Sequence, residues 1–285
     1  MKTNWHKGII HEVVDSRVNV SVVFTWDLPL ARKLCAAFTG DGHDVRAGGP
    51  AVSLMSDYLK DVATIGGDMP FLSRFCEDAD YTTRGCIRAC AFCAVRKIEG
   101  SFREVLNWKP RWRPHFVGSR FEILCDNNFL AASRGHIEGV VDELTTFDGV
   151  DFNQGLDARL LNAWHVEQLR RLRLPVIRFS WDHASEEQPV MDAVKMLLAA
   201  GYARRNIQIY ILVNNGETQA EAHYRFNTLK AAGIRGFPMR FQPLETLKKD
   251  SYVSEQWTDA ELRRFCRYWA RQNWFSKIPY VEFRG

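Results

Sequence analysis

The amino-acid sequence predicts an α/β fold whose main part is a partial (β/α)6 barrel, in which six parallel strands are joined by crossovers. The first observation is that segments rich in β-branched and aromatic residues alternate with segments of helical periodicity. The second is that the connections are long enough for helical crossovers, which favours parallel pairing with right-handed connections. The third is the number of units, since six are fewer than the eight of a closed barrel.

A small extension, residues 1–78, is predicted to precede the barrel, and a capping segment, residues 248–285, to follow it. In the extension, residues 19–26 (NVSVVFTW) have strand character and residues 28–38 (LPLARKLCAAF) have helical periodicity. A second short strand ends at residues 47–50 (AGGP). We therefore expect a β-α-β unit in this part of the chain.

The barrel itself is predicted to span residues 79–247. Its strands are predicted at 80–85 (DYTTRG), 120–126 (RFEILCD), 150–154 (VDFNQ), 176–182 (VIRFSWD), 207–214 (IQIYILVN) and 237–243 (FPMRFQP). Its helices are predicted at 135–147 (GHIEGVVDELTTF), 162–172 (NAWHVEQLRRL), 185–201 (SEEQPVMDAVKMLLAAG) and 217–233 (ETQAEAHYRFNTLKAAG). The last two helices end at glycines, which is a common helix stop.

The predicted strands each carry one polar and one apolar face. In the fourth strand, Arg178, Ser180 and Asp182 share one face, and the positions between them are apolar. Buried parallel strands are usually apolar on both faces. The polar faces of these strands, gathered inside a curved sheet, would instead line a water-filled interior that suits a polar ligand. The alternative is an antiparallel sheet whose polar face meets solvent, but the long crossovers favour the first interpretation.

Two segments interleave cations with aromatic residues: residues 107–120 (NWKPRWRPHFVGSR) and residues 262–285 (LRRFCRYWARQNWFSKIPYVEFRG). Such surfaces suit nucleic acids, because cations pair with phosphates and aromatic rings stack on bases. For the second segment the sequence favours an amphipathic helix instead, with Phe265, Tyr268 and Trp269 packed inward and the arginines solvated.

The composition limits the class of protein. The 285 residues are 46% hydrophobic and 25% charged, as in a globular protein, and the formal charge of +4 permits an anionic partner without requiring one. No apolar run is long enough to span a membrane, and the first residues (MKTNWHKGIIHEVVDSR) lack the apolar core of a signal peptide. Seven unevenly placed cysteines indicate reduced thiols, so we expect a cytoplasmic protein.

Three of the cysteines, Cys86, Cys90 and Cys93, lie within eight residues in the spacing C-x3-C-x2-C. Thiolates select zinc or iron–sulfur clusters. A structural zinc site needs four ligands, and so does a closed [4Fe–4S] cluster, whereas this loop offers three. The spacing therefore favours a [4Fe–4S] cluster with one iron open to a substrate or cofactor. The alternatives are zinc with a distant fourth ligand such as His115, and thiols that bind no metal.

The cysteine segment resembles the cluster loop of the radical SAM superfamily, in which the same spacing carries an aromatic residue, here Phe92, before the last cysteine. The resemblance covers about residues 80–247 and is nearest to the methylthiotransferases and cobalamin-associated enzymes. TTRGCIRACAFCAV and IEGSFRE are similar to their cluster segment, and FEILCDNNFL, GLDARLL and FQPL to their second, third and sixth strand motifs. The resemblance implies a partial barrel that binds a [4Fe–4S] cluster and S-adenosylmethionine. It also implies an electron donor of the flavodoxin or ferredoxin type and a 5′-deoxyadenosyl radical that abstracts hydrogen from the substrate.

By position, the resemblance implies a role for each matching residue. Cys86, Cys90 and Cys93 would ligate the cluster, whose open iron would be chelated by the methionyl amino and carboxylate groups. The implied contacts to S-adenosylmethionine are Phe92 at the nucleoside, Asp126, Asn127 and Asn128 at the methionyl ammonium, Ser180 and Asp182 at the ribose or carboxylate, and Asn214 at the adenine edge.

The N-terminal extension resembles a truncated flavodoxin-like domain of the same subgroup, with two departures. Residues 41–46 (DGHDVR) place Arg46 where the cobalamin-binding pattern Asp-x-His-x-x-Gly has glycine, which argues against cobalamin. Only Cys35 and Cys76 precede the main loop, one short of the three cysteines that hold the second cluster of methylthiotransferases. This shortage argues against sulfur insertion.

The predicted substrate contacts are the polar residues of the barrel interior that are not assigned to the cofactor: Asn153, Arg178, Arg240 and Gln242. Two arginines indicate a substrate with a carboxylate or phosphate. Tyr210 is the candidate for donating or relaying a hydrogen atom, although a structural hydrogen bond is the favoured role. The sequence thus predicts a radical SAM enzyme with an anionic substrate. The alternatives are a nucleic-acid-modifying member of the superfamily and an iron–sulfur or zinc protein without turnover.

Overall fold

The computed structural model describes residues 8–66, 79–108, 121–271 and 278–284. In these ranges the strands are β1 (Ile9–Val14), β2 (Arg17–Val22), β3 (Asp44–Gly48), β4 (Thr64–Ile65), β5 (Ala79–Asp80), β6 (Thr83–Arg84), β7 (Arg103–Glu104), β8 (Phe121–Leu124), β9 (Gly149–Phe152), β10 (Ile177–Ser180), β11 (Ile207–Val213) and β12 (Arg235–Arg240). The helices are α1 (Leu28–Gly40), α2 (Pro50–Leu54), α3 (Val95–Glu99), α4 (Arg134–Leu144), α5 (Ala163–Arg170), α6 (Glu187–Ala199), α7 (Gln219–Ala231) and α8 (Asp259–Ala270).

The fold is mixed α/β, as the sequence predicts, and the chain divides into two compact units. The described part of the first unit is residues 8–66, 79, 88–100 and 242–252. The described part of the second unit is residues 80–87, 101–108, 121–241, 253–271 and 278–284. The cysteine segment therefore contributes to both units: Cys86 belongs to the second unit, and Cys90 and Cys93 belong to the first.

The first unit contains a four-stranded sheet in the order β1-β2-β3-β4. Strands β2, β3 and β4 are parallel, and β1 forms an antiparallel hairpin with β2. Apolar side chains of β2 and α1 form its core, including Val18, Val20, Leu28 and Cys35, all fully buried. The predicted β-α-β unit corresponds to β2, α1 and β3, while β1 lies outside the prediction.

The strand predicted at 80–85 is observed as two two-residue strands, β5 and β6, and β5 begins at Ala79 of the first unit. The other strands and the four helices predicted for the barrel lie in the second unit. The strands form two three-stranded sheets, in the orders β5-β8-β9 and β10-β11-β12, and β6 pairs with β7 in a separate sheet. The pairs β8–β9, β10–β11 and β11–β12 are parallel, and a parallel bridge joins Leu156 to Phe179. The antiparallel alternative is therefore wrong for these pairs. Within the described residues no sheet closes into a barrel, so the partial barrel stays a prediction.

The predicted alternation of faces is clearest in β11. Its apolar positions, Ile207 to Val213 in steps of two, are fully buried, and the intervening side chains are half-buried. Helix α8 has the predicted inward face, because Phe265, Tyr268 and Trp269 are buried in the core of the second unit. These three rings are consequently not available for stacking on bases. Arg263 and Arg267 are exposed as predicted, but Arg264 is half-buried and donates to the carbonyls of Tyr280 and Phe283.

Several predictions fall on residues 67–78, 109–120 and 272–277, which lie outside the described residues. They include the candidate zinc ligand His115, the thiol of Cys76 and most of the basic aromatic segment that begins at Asn107. Among the helices that the structure describes, none has the length and apolar character needed to cross a membrane.

Candidate functional site

The segment that carries the three cysteines is held together at its base. Strand β6 pairs antiparallel with β7, matching Thr83 to Glu104, and Cys86 forms a further bridge with Ser101. Gly85 has a φ of 72° and is buried, so a glycine suits the turn that leads from β6 into Cys86. The backbone on both sides of residues 87–100 is therefore fixed within the second unit.

A buried carboxylate anchors this base to the sheet. Asp126, just beyond the end of β8, accepts hydrogen bonds from the backbone N–H groups and hydroxyls of both Thr82 and Thr83. The bonds from Thr82 are 2.8 and 2.9 Å, and that from the Thr83 hydroxyl is 2.7 Å. Thr82 and Thr83 are fully buried, and Asp126 is 3% exposed. Burial raises the pKa of Asp126, and the four donors oppose that rise.

The resemblance predicts that Asp126 receives the methionyl ammonium. In the structure both oxygens of this carboxylate are engaged by Thr82 and Thr83, so its evident role is to position the chain that leads to Cys86. Contact with the cofactor stays a prediction for Asp126, for its half-buried neighbour Asn127 and for Asn128.

Asn128, 3% exposed, connects the end of β8 to the first cysteine of the motif. Its Nδ2 lies 3.5 Å from the Sγ of Cys86 and 3.4 Å from Oδ2 of Asp157. Its Oδ1 is buried and has no hydrogen-bond partner among the described residues. Asp157 in turn accepts from Arg159 at 2.7 Å, and Arg159 donates to Glu186 at 2.8 Å. A polar chain thus runs from Cys86 toward the start of α6.

The other two cysteines lie in a turn of the first unit that precedes α3. The N–H of Cys93 donates to the carbonyl oxygen of Cys90 at 3.0 Å, and Phe92, between them, is half-buried. Across the described part of the chain, no three His, Cys, Asp or Glu side chains form a group that could hold a metal ion. The assignment of the three thiols as cluster ligands stays a prediction.

Asp182, at the carboxyl end of β10, is an acid in an unusual environment. Its Oδ1 accepts from the N–H of Leu212 at 3.3 Å, and Ser180 donates a side-chain hydrogen bond to it. Burial, and then the negative charge of Glu186, raise the pKa of Asp182 to about 6, although the Ser180 and Leu212 bonds and the charge of Arg225 lower it. A carboxyl group whose pKa is raised in this way suits acid–base chemistry or ligand binding. The predicted contact of Ser180 and Asp182 with ribose stays a prediction.

The raised pKa of Asp182 predicts a pH-dependent stability. Because the folded state favours the protonated form, this group stabilises the fold fully below the unfolded pKa of 3.8, and the stabilisation is lost as the pH rises through about 6. Asp182→Asn removes the titration. The free energy of unfolding of D182N relative to wild type should therefore rise by about 2 to 3 kcal/mol between pH 4 and pH 7.

Urea denaturation at several pH values measures this difference. Asp192→Asn is the matched control, because Asp192 lies on α6 in the same unit and its side chain is 48% exposed. A difference between D182N and wild type that stays constant from pH 4 to pH 7 would contradict the prediction.

Asn214 is fully buried at the end of β11 and has a φ of 73°. Its Nδ2 donates to the carbonyl of Phe241 at 3.3 Å, and its Oδ1 accepts from the N–H of Ser254 at 2.8 Å. Its own N–H donates to Glu217 at 2.6 Å. The side chain thus links the ends of β11 and β12 to the segment before α8, and its predicted contact with adenine stays a prediction.

Both arginines of the predicted substrate site have acidic partners. Arg178 donates to Asp151, with both side chains 15% exposed, and Arg240 lies 3.2 Å from Asp259. Carboxylates thus balance the two positive charges that indicated an anionic substrate. Substrate binding by these two residues, and with it the anionic character of the substrate, stays a prediction.

The remaining predicted substrate residues have varied surroundings. The ring of Tyr210 packs edge-on against Phe237, with centroids 5.9 Å apart. The backbone N–H of Asn153 donates to Leu124 at 3.0 Å. Both amide atoms of Gln242 are buried without a hydrogen-bond partner among the described residues. None of these contacts tests the predicted roles.

Sequence reasoning missed the residues that support the site: Thr82, Thr83, Asp151, Asp157, Arg159 and Glu186. A signal was present for four of them, since Thr82 and Thr83 begin the TTRGCIRACAFCAV segment and Asp157 and Arg159 lie within the GLDARLL motif.

Comparison with models of known protein families gave no match to this sequence, and comparison with curated proteins gave no significant match. The resemblance to radical SAM enzymes therefore depends on the motif residues alone.

Proposed function

We propose that this protein is a radical S-adenosylmethionine enzyme whose [4Fe–4S] cluster is held by Cys86, Cys90 and Cys93. The observation that carries the proposal is the C-x3-C-x2-C spacing, because three thiolates within eight residues suit a cluster with one open iron. The proposal extends to a partial barrel formed by β5, β8, β9, β10, β11 and β12. Three parallel strand pairs and the Leu156–Phe179 bridge support it.

The residues around the first cysteine fit an iron–sulfur ligand. Asn128 directs an amide N–H at the Cys86 sulfur, and amide donors to ligand sulfurs are a common second layer around such clusters. Asp126 accepts four hydrogen bonds from Thr82 and Thr83, which lie four and three residues before Cys86. The cluster segment would thus start from a stretch of chain, Thr82 and Thr83, that is buried from water and held by hydrogen bonds.

When bound, the cluster and S-adenosylmethionine would supply one-electron reductive cleavage of the sulfonium, giving a 5′-deoxyadenosyl radical that takes hydrogen from the substrate. The protein would orient the reactants and exclude water. Asp182, whose pKa is raised by burial to about 6, is the chain's candidate for holding or accepting a proton at the carboxyl end of β10. The proposal includes an external electron donor and, from the cysteine usage, a cytoplasmic location.

Anaerobic reconstitution with iron and sulfide tests the proposal. We expect a brown protein with about four irons per chain that forms 5′-deoxyadenosine from S-adenosylmethionine and dithionite. One tightly bound zinc with no nucleoside product would favour the binding-protein alternative and refute the enzyme.

A further inference from the structure

The environment of Asn128 raises a question about the role of its side chain. Its Oδ1 is buried without a hydrogen-bond partner among the described residues, and leaving an acceptor in that state costs about 1 to 3 kcal/mol. An apolar side chain of similar size would avoid this cost. The presence of an amide at position 128 is therefore better explained by the hydrogen bonds that its NH2 group donates than by a contribution to the stability of the fold.

The orientation of the amide follows from its neighbours. A carbonyl oxygen facing the Asp157 carboxylate would be repelled, so the network requires Nδ2 on that side, 3.4 Å from Oδ2. Asp157 is itself held by Arg159, with bonds of 2.7 and 3.1 Å to the guanidinium. With one amide hydrogen directed at Asp157, the other is available to the Cys86 sulfur at 3.5 Å.

We infer that Asn128 is a positioning residue whose N–H···S bond to Cys86, oriented by Asp157, raises the reduction potential of a cluster bound there. This inference rests on the proposed function. Reduction adds negative charge to the cluster and its sulfur ligands, and the positive end of an N–H dipole stabilises that charge. Asn128 thereby makes the electron that the reaction needs easier to deliver.

The experiment is an anaerobic redox titration of the reconstituted cluster, followed by electron paramagnetic resonance. Asn128→Leu keeps the number and branching of the side-chain heavy atoms and removes the donor. We expect the equilibrium constant for reduction to fall about tenfold, a shift of about 59 mV to more negative potential. Stability should change little, because the variant also removes the unsatisfied Oδ1 and Asp157 keeps its bonds to Arg159.

The matched control is Asn206→Leu, which removes a donor bond of the same length, 3.5 Å, to the carbonyl of Leu174. Asn206 precedes β11, at the opposite end of the parallel strands from Asn128. The potential of this control should equal that of wild type. If Asn128→Leu does not fold, Asn128→Ser, which is too short to reach the sulfur, should shift the potential in the same direction.

Equal potentials in wild type and the Asn128 variants, with full clusters in each, would overturn the inference and leave the proposed function standing. A wild-type chain that takes up no cluster would overturn both. A large loss of stability in Asn128→Leu with no shift in potential would assign the amide a structural role instead.

Discussion

Replacing any one of Cys86, Cys90 and Cys93 with alanine is expected to abolish formation of 5′-deoxyadenosine and to remove most of the bound iron. Each thiolate would supply one of three protein ligands, and a cluster held by two is not retained. Loss of second-layer partners alone costs about 10- to 100-fold in metal affinity or activity, so loss of a ligand should cost more than about 100-fold. Iron content, visible absorption and product formation measure the effect.

Cys266→Ala is the matched control for these variants. Cys266 lies on α8 of the second unit and packs against its apolar core, away from the cysteine motif in the sequence. This variant should keep wild-type iron content and activity. Full iron content in all three motif variants would contradict the ligand assignment, and one zinc per chain that disappears in each of them would favour a zinc site.

The strands and helices of the second unit were predictable because their side-chain periodicity reports burial directly. In β11 every second residue is an isoleucine or valine, and each of these is fully buried in the structure. The inward face of α8 was equally visible, since its aromatic residues recur at helical spacing. Local pattern decided these elements, and no long-range contact was needed to identify them.

Strand β1 was not predicted, because the sequence signal for it is in the turn that joins it to β2 and not in the strand itself. Residues 9–14 (IIHEVV) lack strict alternation, and their hairpin with β2 depends on a two-residue connection in which Asp15 has a φ of 55°. Aspartate adopts this left-handed conformation more readily than most residues. The Asp15–Ser16 turn was the available signal, and it is weaker than an Asn-Gly pair.

The polar partners of the site could not be found by local pattern. The pairs Arg178–Asp151 and Asp126–Thr82 join residues 27 and 44 positions apart. Which carboxylate meets which donor depends on strand order and register, and neither follows from the periodicity of one strand. The sequence therefore indicated polar residues suited to ligands, and the structure pairs several of them with one another.

The four-bond contact of Asp126 with Thr82 and Thr83 leads to the second large prediction. Asp126→Ala should lower the free energy of unfolding by about 4 to 6 kcal/mol, because it leaves four buried donors without an acceptor. Each orphaned donor costs about 1 to 3 kcal/mol, and relaxation of the chain reduces the sum. Asp126→Asn should cost less than this, because the amide oxygen still accepts while the amide nitrogen faces a donor.

Urea denaturation of the metal-free chain measures these losses, so the result does not depend on the proposed cluster. Asp148→Ala is the control, since Asp148 is an exposed aspartate of the same unit just before β9. It should change stability by less than about 0.5 kcal/mol. Hydrogen exchange at the backbone amides of Thr82 and Thr83 gives a local readout, and both amides should lose most of their protection in Asp126→Ala.

The same variants connect stability to the cysteine segment, because Thr83 lies three residues before Cys86. If Asp126 fixes the base of this segment, chains of Asp126→Asn that remain folded should take up less iron than chains of Asp148→Ala at equal folded fraction. Unchanged amide protection and an unchanged urea midpoint in Asp126→Ala would show that these hydrogen bonds do not hold the segment. Lost protection with normal iron uptake would show that Asp126 contributes to folding alone and that the cysteines bind iron without its support.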